Sequence, residues 1–233
     1  MKKTVIIVAA GIGSRMKNET PKQFLMLNHK PVLYYTINSF LTAFNDVEII
    51  LVLPEEHIAK GQEIIDGYFD NSKFRLCAGG RTRFHSVKSG ISLIGGEEEC
   101  IIFVHDGVRC LVTPELIKRC YESSLEFGTA IPAIACKDSI RIEEKDENSI
   151  LSRDEIRMVQ TPQTFHSKIL LPAFKIDYKE NFTDEATVVE AFGLKVHLIE
   201  GEEDNIKITT PLDLYVAGKV LEDRTSRLRP GCG

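Results

Sequence analysis

Glycines and basic residues follow the first apolar run of the chain. The motif A-A-G-I-G-S-R-M is followed, after a short spacer, by P-K-Q. Gly11 and Gly13 would let the backbone turn sharply and bring its N–H groups against phosphate oxygens. Arg15 and Lys22 would add positive charge over the same phosphates. The segment therefore predicts a polyphosphate-binding turn, with an ordinary strand-to-helix turn carrying surface basic residues as the alternative.

Two better-known glycine motifs do not fit this turn. Met16 occupies the position of the third glycine in the dinucleotide fingerprint, where a side chain disfavours close packing of helix on strand. No G-x-x-x-x-G-K-[ST] loop occurs in the sequence. An NAD(P)-dependent oxidoreductase and a catalytically silent nucleotide-binding module are the alternative functions for a chain with such a turn.

A second glycine pair lies between a later strand and a helix. Gly79 and Gly80 permit close approach of the backbone to a flat base. Arg83 and Ser86, three residues apart on the first helical turn, can face the same ligand. Taken alone, this segment is equally typical of a routine strand-to-helix turn.

An acidic residue leaves the next buried strand in the motif H-D-G-V-R. Asp106 is well placed to hold Mg²⁺ against a triphosphate, because this metal takes one or two carboxylates together with phosphate oxygens. His105 is predicted to orient the turn, and Arg109 to pair with Asp106 or to support the loop. Near the end of the chain, Asp204 is a candidate to complete the metal site and Lys207 to meet a phosphate.

Strands and helices alternate through the first half of the sequence. Continuous β-branched and apolar runs are typical of strands buried on both faces. Repeated βαβ units predict an α/β fold with a mostly parallel sheet and helices on both faces. Ligands of such sheets bind outside the carboxyl ends of the strands, where these motifs lie. The predicted strands are 5–10, 47–53, 74–77, 101–105, 129–134, 196–200 and 206–208, and the predicted helices are 31–44, 55–69, 87–94, 114–127, 167–176, 184–192 and 211–221.

The alternation ends at residue 136. The stretch 136–161 is polar with an acidic tip and is predicted to form a protruding hairpin, or β-arm. A loop of that length in a compact domain is usually functional or a contact element. Residues 1–222 are predicted to form one domain, and 223–233 a tail without regular structure.

Together the motifs resemble the methylerythritol phosphate cytidylyltransferases over about residues 5–221. The motifs that carry the resemblance are A-A-G-I-G-S-R with P-K-Q, G-G-R-T-R-F-H-S-V, H-D-G-V-R, Q-T-P-Q-T-F, T-D-E-A and D-N-I-K-I-T-T-P. The resemblance implies a Rossmann-like domain whose β-arm clasps a second subunit in a homodimer. It also implies transfer of CMP from CTP to 2-C-methyl-D-erythritol 4-phosphate in the non-mevalonate isoprenoid pathway, with Mg²⁺ as cofactor.

The resemblance further implies a role for each matching position. Arg15 and Lys22 would neutralise the CTP phosphates and stabilise the transition state, and Lys207 would be a further phosphate contact. Arg153 matches the arm residue that reaches the substrate phosphate in the other subunit. The implied nucleotide site comprises Ala9, Ala10, Gly11, Gly13, Gly79, Gly80, Arg83 and Ser86, the implied metal site Asp106 and Asp204, and the implied acceptor site Asp106, Arg109, Ser139, Arg153 and Thr183.

Several positions depart from the family pattern. The common H-D-A-A-R-P reads H-D-G-V-R-C here, so Gly107, Val108 and Cys110 alter the loop that faces the substrate, and Ser139 stands where the family usually has threonine. Ribitol 5-phosphate cytidylyltransferases share most of these motifs, but they tend to have T-D-A where this chain has T-D-E-A. That difference favours methylerythritol phosphate, with ribitol 5-phosphate or another polyol phosphate as the alternative acceptor. Without the resemblance, T-D-E-A reads as a helix cap.

Composition and charge exclude several classes of protein. A formal net charge of −5 argues against a general nucleic-acid binder, which is usually basic, although a few basic residues in one cleft still suit a small anion. No apolar stretch approaches the roughly 20 residues that span a bilayer, which predicts no membrane partner. The six cysteines show no metal-binding spacing, which predicts free thiols in a reducing cytoplasm.

Overall fold

A central sheet with flanking helices organises the part of the chain that the structure describes. The structure is a computed structural model and describes residues 1–11, 20–95, 99–145 and 147–228. The strands are β1 (Lys2–Val8), β2 (Met26–Leu27), β3 (Lys30–Pro31), β4 (Val47–Leu53), β5 (Phe74–Ala78), β6 (Cys100–Asp106), β7 (Thr129–Ala135), β8 (Ile140–Glu144), β9 (Glu147–Leu151), β10 (Arg157–Val159), β11 (Gln163–His166) and β12 (Leu198–Glu200). The helices are α1 (Val32–Ala43), α2 (Ile58–Tyr68), α3 (Arg83–Ser92), α4 (Pro114–Phe127), α5 (Ser167–Ala173), α6 (Glu185–Ala191) and α7 (Pro211–Leu228).

The main sheet brings the strand ends that carry the motifs to one edge. Its order is β10-β7-β11-β6-β1-β4-β5, with β12 beside β7. The segment β6-β1-β4-β5 is parallel, whereas β11 runs antiparallel to both β6 and β7. Val8 at the end of β1 pairs with Val52 on one side and with Asp106 on the other. The predicted α/β fold with a mostly parallel sheet is confirmed.

Helices cover both faces of the sheet because successive side chains of a strand point to opposite sides. On β1, Val5 and Ile7 are buried in one apolar cluster with α1, α2 and α4. Ile6, between them, is buried in a second cluster with α3, α5 and α6. The continuous apolar run in the sequence therefore reflects burial on both faces, as predicted.

The ends of two helices follow local sequence signals. Thr113 caps α4 by accepting a hydrogen bond from the backbone of Leu116 at 3.1 Å, and Pro114 occupies the first turn. Gly128 ends the helix in the left-handed region at φ 79°. Asp184 forms a capping box with Thr187 at the start of α6, which confirms the cap predicted from T-D-E-A.

The predicted strand at 206–208 is wrong. This segment has no strand geometry in the structure, and β12 instead pairs with β7. Ile208 is fully buried, and its N–H donates to the carbonyl oxygen of Val108 at 3.0 Å. Ile208 thus packs against the loop that follows β6 and does not join a sheet. In the sequence, the apolar pattern of such a buried loop segment looks the same as that of a short strand.

The tail predicted for 223–233 is wrong over its first part, because α7 continues to Leu228. Lys219 forms an ion pair with Asp223 one turn later at 3.2 Å, which favours the helix. Arg224 donates to the carbonyl oxygen of Leu111 at 2.8 Å and ties this end to the loop after β6. The remaining five positions of the predicted tail lie outside the described residues.

The predicted arm contains a hairpin of β8 and β9, in which Ile140 pairs with Leu151 and Glu144 with Glu147. Ile150 is 77% exposed, so this hairpin carries apolar surface into solvent. That it clasps a second subunit remains a prediction.

Two predictions from composition can be compared with the described residues. None of the described helices has the length and apolarity needed to cross a membrane. The cysteines in the described part are all free thiols, as predicted: Cys77, Cys100, Cys110, Cys120 and Cys136.

Candidate active site

A cavity of about 390 Å³ opens where β1 and β6 end and α3 begins. Residues from several of the predicted motifs meet there, although Gly13 and Arg15 lie outside the described residues. Among the described residues, those that line the cavity are Val8, Ala9, Ala10, Gly11, Lys22, Gln23, Gly80, Arg81, Thr82, Arg83, Ser86, Asp106, Val108, Lys207 and Thr209.

A buried glutamine holds the turn after β1. Gln23 is 1% exposed, and its Nε2 donates to the carbonyl oxygens of Ala9 at 2.7 Å and Gly11 at 3.5 Å. The backbone N–H of Ala9 donates in turn to Val52 on β4 at 2.8 Å. Sequence reasoning missed the part played by Gln23; its position directly after Lys22 in P-K-Q was the available signal.

Two lysines from opposite ends of the chain reach this cavity. The Nζ of Lys22 donates to the carbonyl oxygen of Ile208 at 2.9 Å. The Nζ of the neighbouring Lys207 lies 2.9 Å from Oδ2 of Asp106. Because Lys207 and Ile208 are adjacent in sequence, one short segment places both ammonium groups at the same wall, as expected of a polyanion site.

The glycine pair after β5 lies where side chains would collide. A Cβ atom on Gly79 would come within 2.3 Å of the Cβ of Ala10, so this position needs glycine. Ser86 Oγ accepts from the backbone N–H of Gly80 at 3.1 Å and donates to the carbonyl oxygen of Thr82 at 3.0 Å. Gly80 lines the cavity. Gly79 is not a lining residue, but it packs against Ala10, which is.

Asp106 is the centre of a charge cluster. Its carboxylate contacts the guanidinium of Arg83, the Nζ of Lys207 at 2.9 Å and the Nε of Arg109 at 3.5 Å. Burial alone would raise the pKa of Asp106, but the positive charges of Arg83, Lys207 and Arg109 together hold it well below its usual range. The carboxylate is therefore ionised at neutral pH, and the predicted pairing of Arg109 with Asp106 is confirmed.

Arg83 joins this cluster to a second carboxylate that sequence reasoning missed. Glu185, the first residue of α6, accepts from Arg83 Nε at 3.1 Å and from Nη2 at 2.8 Å. Burial raises the pKa of Glu185, and the hydrogen-bonded guanidinium of Arg83 opposes that rise. These two residues are 102 positions apart in sequence, so no local pattern connects them.

His105 has the structural role that the sequence predicted. It is fully buried, with Nδ1 3.0 Å from Oγ1 of Thr161 and Nε2 3.1 Å from the carbonyl oxygen of Arg109. Burial lowers the pKa of His105 to about 3. The imidazole is neutral at physiological pH and orients the turn that carries Asp106.

This buried imidazole is expected to make the protein sensitive to mild acid. An unfolded histidine takes up a proton below about pH 6.5, whereas folded His105 stays neutral until about pH 3. Its stability contribution is therefore complete above pH 6.5 and is lost as the pH falls, at up to about 1.4 kcal/mol per pH unit.

Urea unfolding of the wild type and of His105→Gln between pH 5 and 7 tests this expectation. The free energy of unfolding should fall less steeply with decreasing pH in the variant than in the wild type. His57→Gln, at a partly exposed position, is the matched control and should keep the wild-type slope. Equal slopes in all three proteins would contradict the expectation.

The donor set of the cavity fits a magnesium ion that is held jointly with a nucleotide. Asp106 is the acidic side chain among the described lining residues, and Mg²⁺ at phosphate sites needs one or two carboxylates with phosphate oxygens completing its shell. Within the described ranges, no group of three His, Cys, Asp or Glu is arranged to hold a metal alone. Asp204 is not among the lining residues; its carboxylate lies 3.4 Å from Arg224, so its role as a ligand remains a prediction.

Three further predicted residues lie away from the described cavity lining. Thr183 is exposed just before the cap of α6. Arg153 donates to the carbonyl oxygen of Lys137 at 3.3 Å at the base of the hairpin, and Ser139 precedes β8. The parts predicted for these residues in the acceptor site therefore stay predictions.

Comparison with known proteins decides the family. The family model described as IspD, 2-C-methyl-D-erythritol 4-phosphate cytidylyltransferase, matches residues 3–223. The chain belongs to this family. The enzyme of that name from Bacteroides thetaiotaomicron is 42% identical over 221 residues, covering 95% of this chain and 100% of the relative. The one from Bacteroides fragilis is 41% identical with the same coverage.

A solved structure agrees with the family in fold. The crystal structure of 4-diphosphocytidyl-2C-methyl-D-erythritol synthase from Anaerococcus prevotii superimposes with a TM-score of 0.80 at 28% identity, covering 95% of this chain and 98% of that one. The resemblance drawn from the motifs is therefore confirmed as membership of the IspD family.

Proposed function

We propose that this chain transfers CMP from CTP to 2-C-methyl-D-erythritol 4-phosphate and releases pyrophosphate. The observation that carries the proposal is the placement of Lys22, Lys207 and Asp106 around one cavity in a chain of the IspD family. The chain is accordingly a CTP-dependent cytidylyltransferase of the methylerythritol phosphate pathway. We further propose that it acts in the cytoplasm, and the free thiols support this location.

The reaction requires positioning and charge more than acid–base chemistry. A phosphate monoester is largely dianionic at neutral pH, since its second pKa is near ~6. One of its oxygens attacks the α-phosphorus of CTP, the bond from that phosphorus to the bridging oxygen breaks, and pyrophosphate leaves. A protein nucleophile is not needed; in-line positioning and positive charge over the developing negative oxygens lower the barrier.

The described residues would supply that positive charge in two ways, directly from lysine side chains and indirectly through a metal ion held by a carboxylate. Lys22 and Lys207 approach the phosphates from one wall, and Arg15, predicted to share this role, lies outside the described residues. Asp106 would hold Mg²⁺, which supplies charge neutralisation of the triphosphate when bound. Gly80, Ser86 and the backbone around Ala9 and Ala10 form the wall proposed to receive cytidine.

A second subunit is proposed to complete the acceptor end of the site. The β8–β9 hairpin exposes Ile142 and Ile150, at 42% and 77%, which suits a contact surface. Arg153 and Ser139 at its base do not line the cavity of their own chain. In a homodimer joined by this hairpin, Arg153 would face the acceptor phosphate bound by the other chain.

Pyrophosphate release tests the proposal directly. The protein is incubated with CTP and Mg²⁺ and with either methylerythritol 4-phosphate or ribitol 5-phosphate under identical conditions. Selective release with the former is the expected result. Selective release with the latter would retain the mechanism and replace the acceptor, and absence of release with both, in protein that binds CTP, would indicate a silent nucleotide-binding module.

A further inference from the structure

Glu185 is a buried carboxylate without a part in the chemistry proposed above. It is 1% exposed and begins α6. Phe84, Phe174 and Phe182 line the same small crevice, so its surroundings are largely apolar. A buried carboxylate in such surroundings is costly unless it is paired, and an apolar residue often serves stability as well as a buried ion pair does. The presence of a charge here therefore needs an explanation beyond packing.

Hydrogen bonds from the side chain of Gln163 fix the position of Glu185. The side chain of Gln163 on β11 donates from Nε2 to Asp184 at 2.8 Å and accepts from the backbone N–H of Ala186 at 2.9 Å. Gln163 pairs in register with Val104 on β6, two residues before Asp106. The start of α6 is thereby fixed relative to the end of β6, with Glu185 and Asp106 on either side of one guanidinium.

Both carboxylates together determine the direction of Arg83. Its Nε and Nη2 donate to Glu185, and its Nη1 contacts Asp106. To turn toward a nucleotide, the guanidinium would have to leave the bidentate pair, which is the stronger geometry for an arginine and a carboxylate. The negative charge of Glu185 also offsets the positive charge of Arg83 at the edge of the cavity.

We propose that Glu185 is a positioning residue for cytidylyl transfer. It fixes and neutralises Arg83, so that Asp106 keeps its orientation and the triphosphate binds to the lysines of the cavity. Replacing Glu185 by a neutral residue frees the charge of Arg83 for the nucleotide and loosens Asp106. CTP then binds more tightly, but in a geometry less suited to reaction. The catalytic part of this inference rests on the proposed function, whereas the effect on CTP affinity does not.

Glu185→Gln tests both parts. Its Kd for CTP, measured by titration calorimetry with Mg²⁺, is expected to fall about threefold to tenfold, the scale of one partly screened charge near a polyanion. Its kcat with methylerythritol 4-phosphate is expected to fall about 10- to 100-fold, since a shift of about 1 Å in a reacting group can have that effect. A merely structural role would lower the fraction of binding-competent protein and would not tighten CTP binding.

Three further variants make the test specific. In Arg83→Gln/Glu185→Gln the gain in CTP affinity should disappear, because the freed charge is removed. Glu185→Asp retains the charge but moves it, so its Kd should stay within about twofold of wild type while kcat falls, and it carries the test if Glu185→Gln does not fold. Glu190→Gln, at an exposed position of the same helix, should match the wild type in both constants.

The possible outcomes separate the two proposals. Unchanged or weaker CTP binding by Glu185→Gln would overturn the positioning role, and so would a wild-type kcat in Glu185→Gln and Glu185→Asp, or in Glu185→Asp alone if Glu185→Gln does not fold. A wild type that binds CTP without turning over either acceptor would overturn the proposed function, while the CTP affinities would still decide the effect of Glu185 on the charge of the cavity.

Discussion

Replacing Lys22 with alanine is expected to lower the turnover number roughly 100- to 1,000-fold while the protein remains folded. The reason is electrostatic: the negative charge that develops on the phosphoryl oxygens loses a donor fixed in place beforehand, and removal of one such donor typically has an effect of that size. The ammonium group donates a hydrogen bond to the carbonyl oxygen of Ile208, and a bond of this kind contributes about 1 kcal/mol to stability.

The Lys22→Ala experiment compares kcat from pyrophosphate release with the free energy of unfolding in urea. Lys118→Ala, at an exposed position on α4, is the control for the loss of a lysine and should leave both quantities unchanged. Lys22→Arg retains the positive charge with a different donor geometry, so its kcat should lie between those of the wild type and Lys22→Ala. Wild-type turnover in folded Lys22→Ala would remove Lys22 from the proposed mechanism.

The largest effect on stability is expected from Arg83→Leu. This change leaves Glu185 and Asp106, which are 1% and 5% exposed, without the guanidinium that lies between them. Breaking a buried pair by removing one partner typically destabilises a protein by about 3–5 kcal/mol. We expect a loss of that size in the free energy of urea unfolding at pH 7.

Arg75→Leu is the matched control for Arg83→Leu. Arg75 pairs with Glu48 at 3.0 Å, but both side chains are at least 40% exposed, and such surface pairs contribute about 1 kcal/mol or less. The double variant Arg83→Leu/Glu185→Leu should recover part of the loss, because an apolar pair can replace a buried ion pair. A similar small loss for Arg83→Leu and Arg75→Leu would show that the cluster is not essential to the fold.

The sequence was informative where a local pattern determines structure. The β-branched run around Val5 predicts a strand buried on both faces, and Thr113 with Pro114 predicts the start of α4, because neither depends on distant residues. The glycine turns, Lys22 and Asp106 were found in the same way. Each follows a predicted strand, and the parallel sheet brings the carboxyl ends of its strands to one edge.

The charge cluster was beyond such reasoning. Glu185 meets Arg83 only because β11 inserts antiparallel between β6 and β7 and carries Gln163 to the start of α6. β11 has four residues, too few for a periodic pattern to be recognised. For Asp204, predicted to complete the metal site, the sequence did not indicate the contact with Arg224 either, because α7 extends beyond its predicted end; its role as a metal ligand stays a prediction.

Burial of β1 on both faces has a consequence for how the chain finds its alignment. A strand with one wet face is prevented from slipping by one residue, since slippage would expose its apolar side chains. The apolar part of β1, residues 5–8, lacks that safeguard, because its side chains are apolar in either register. Its alignment is specified at its two ends: Lys3 pairs with Asp46 at 2.8 Å at the start, and after the last residue Ala9 donates to Val52 and Gly107 donates to Val8, at 2.8 and 2.9 Å. The loops proposed to bind the nucleotide are thus also the loops that define strand alignment, and mutations chosen to alter substrate preference there would carry a risk of misfolding.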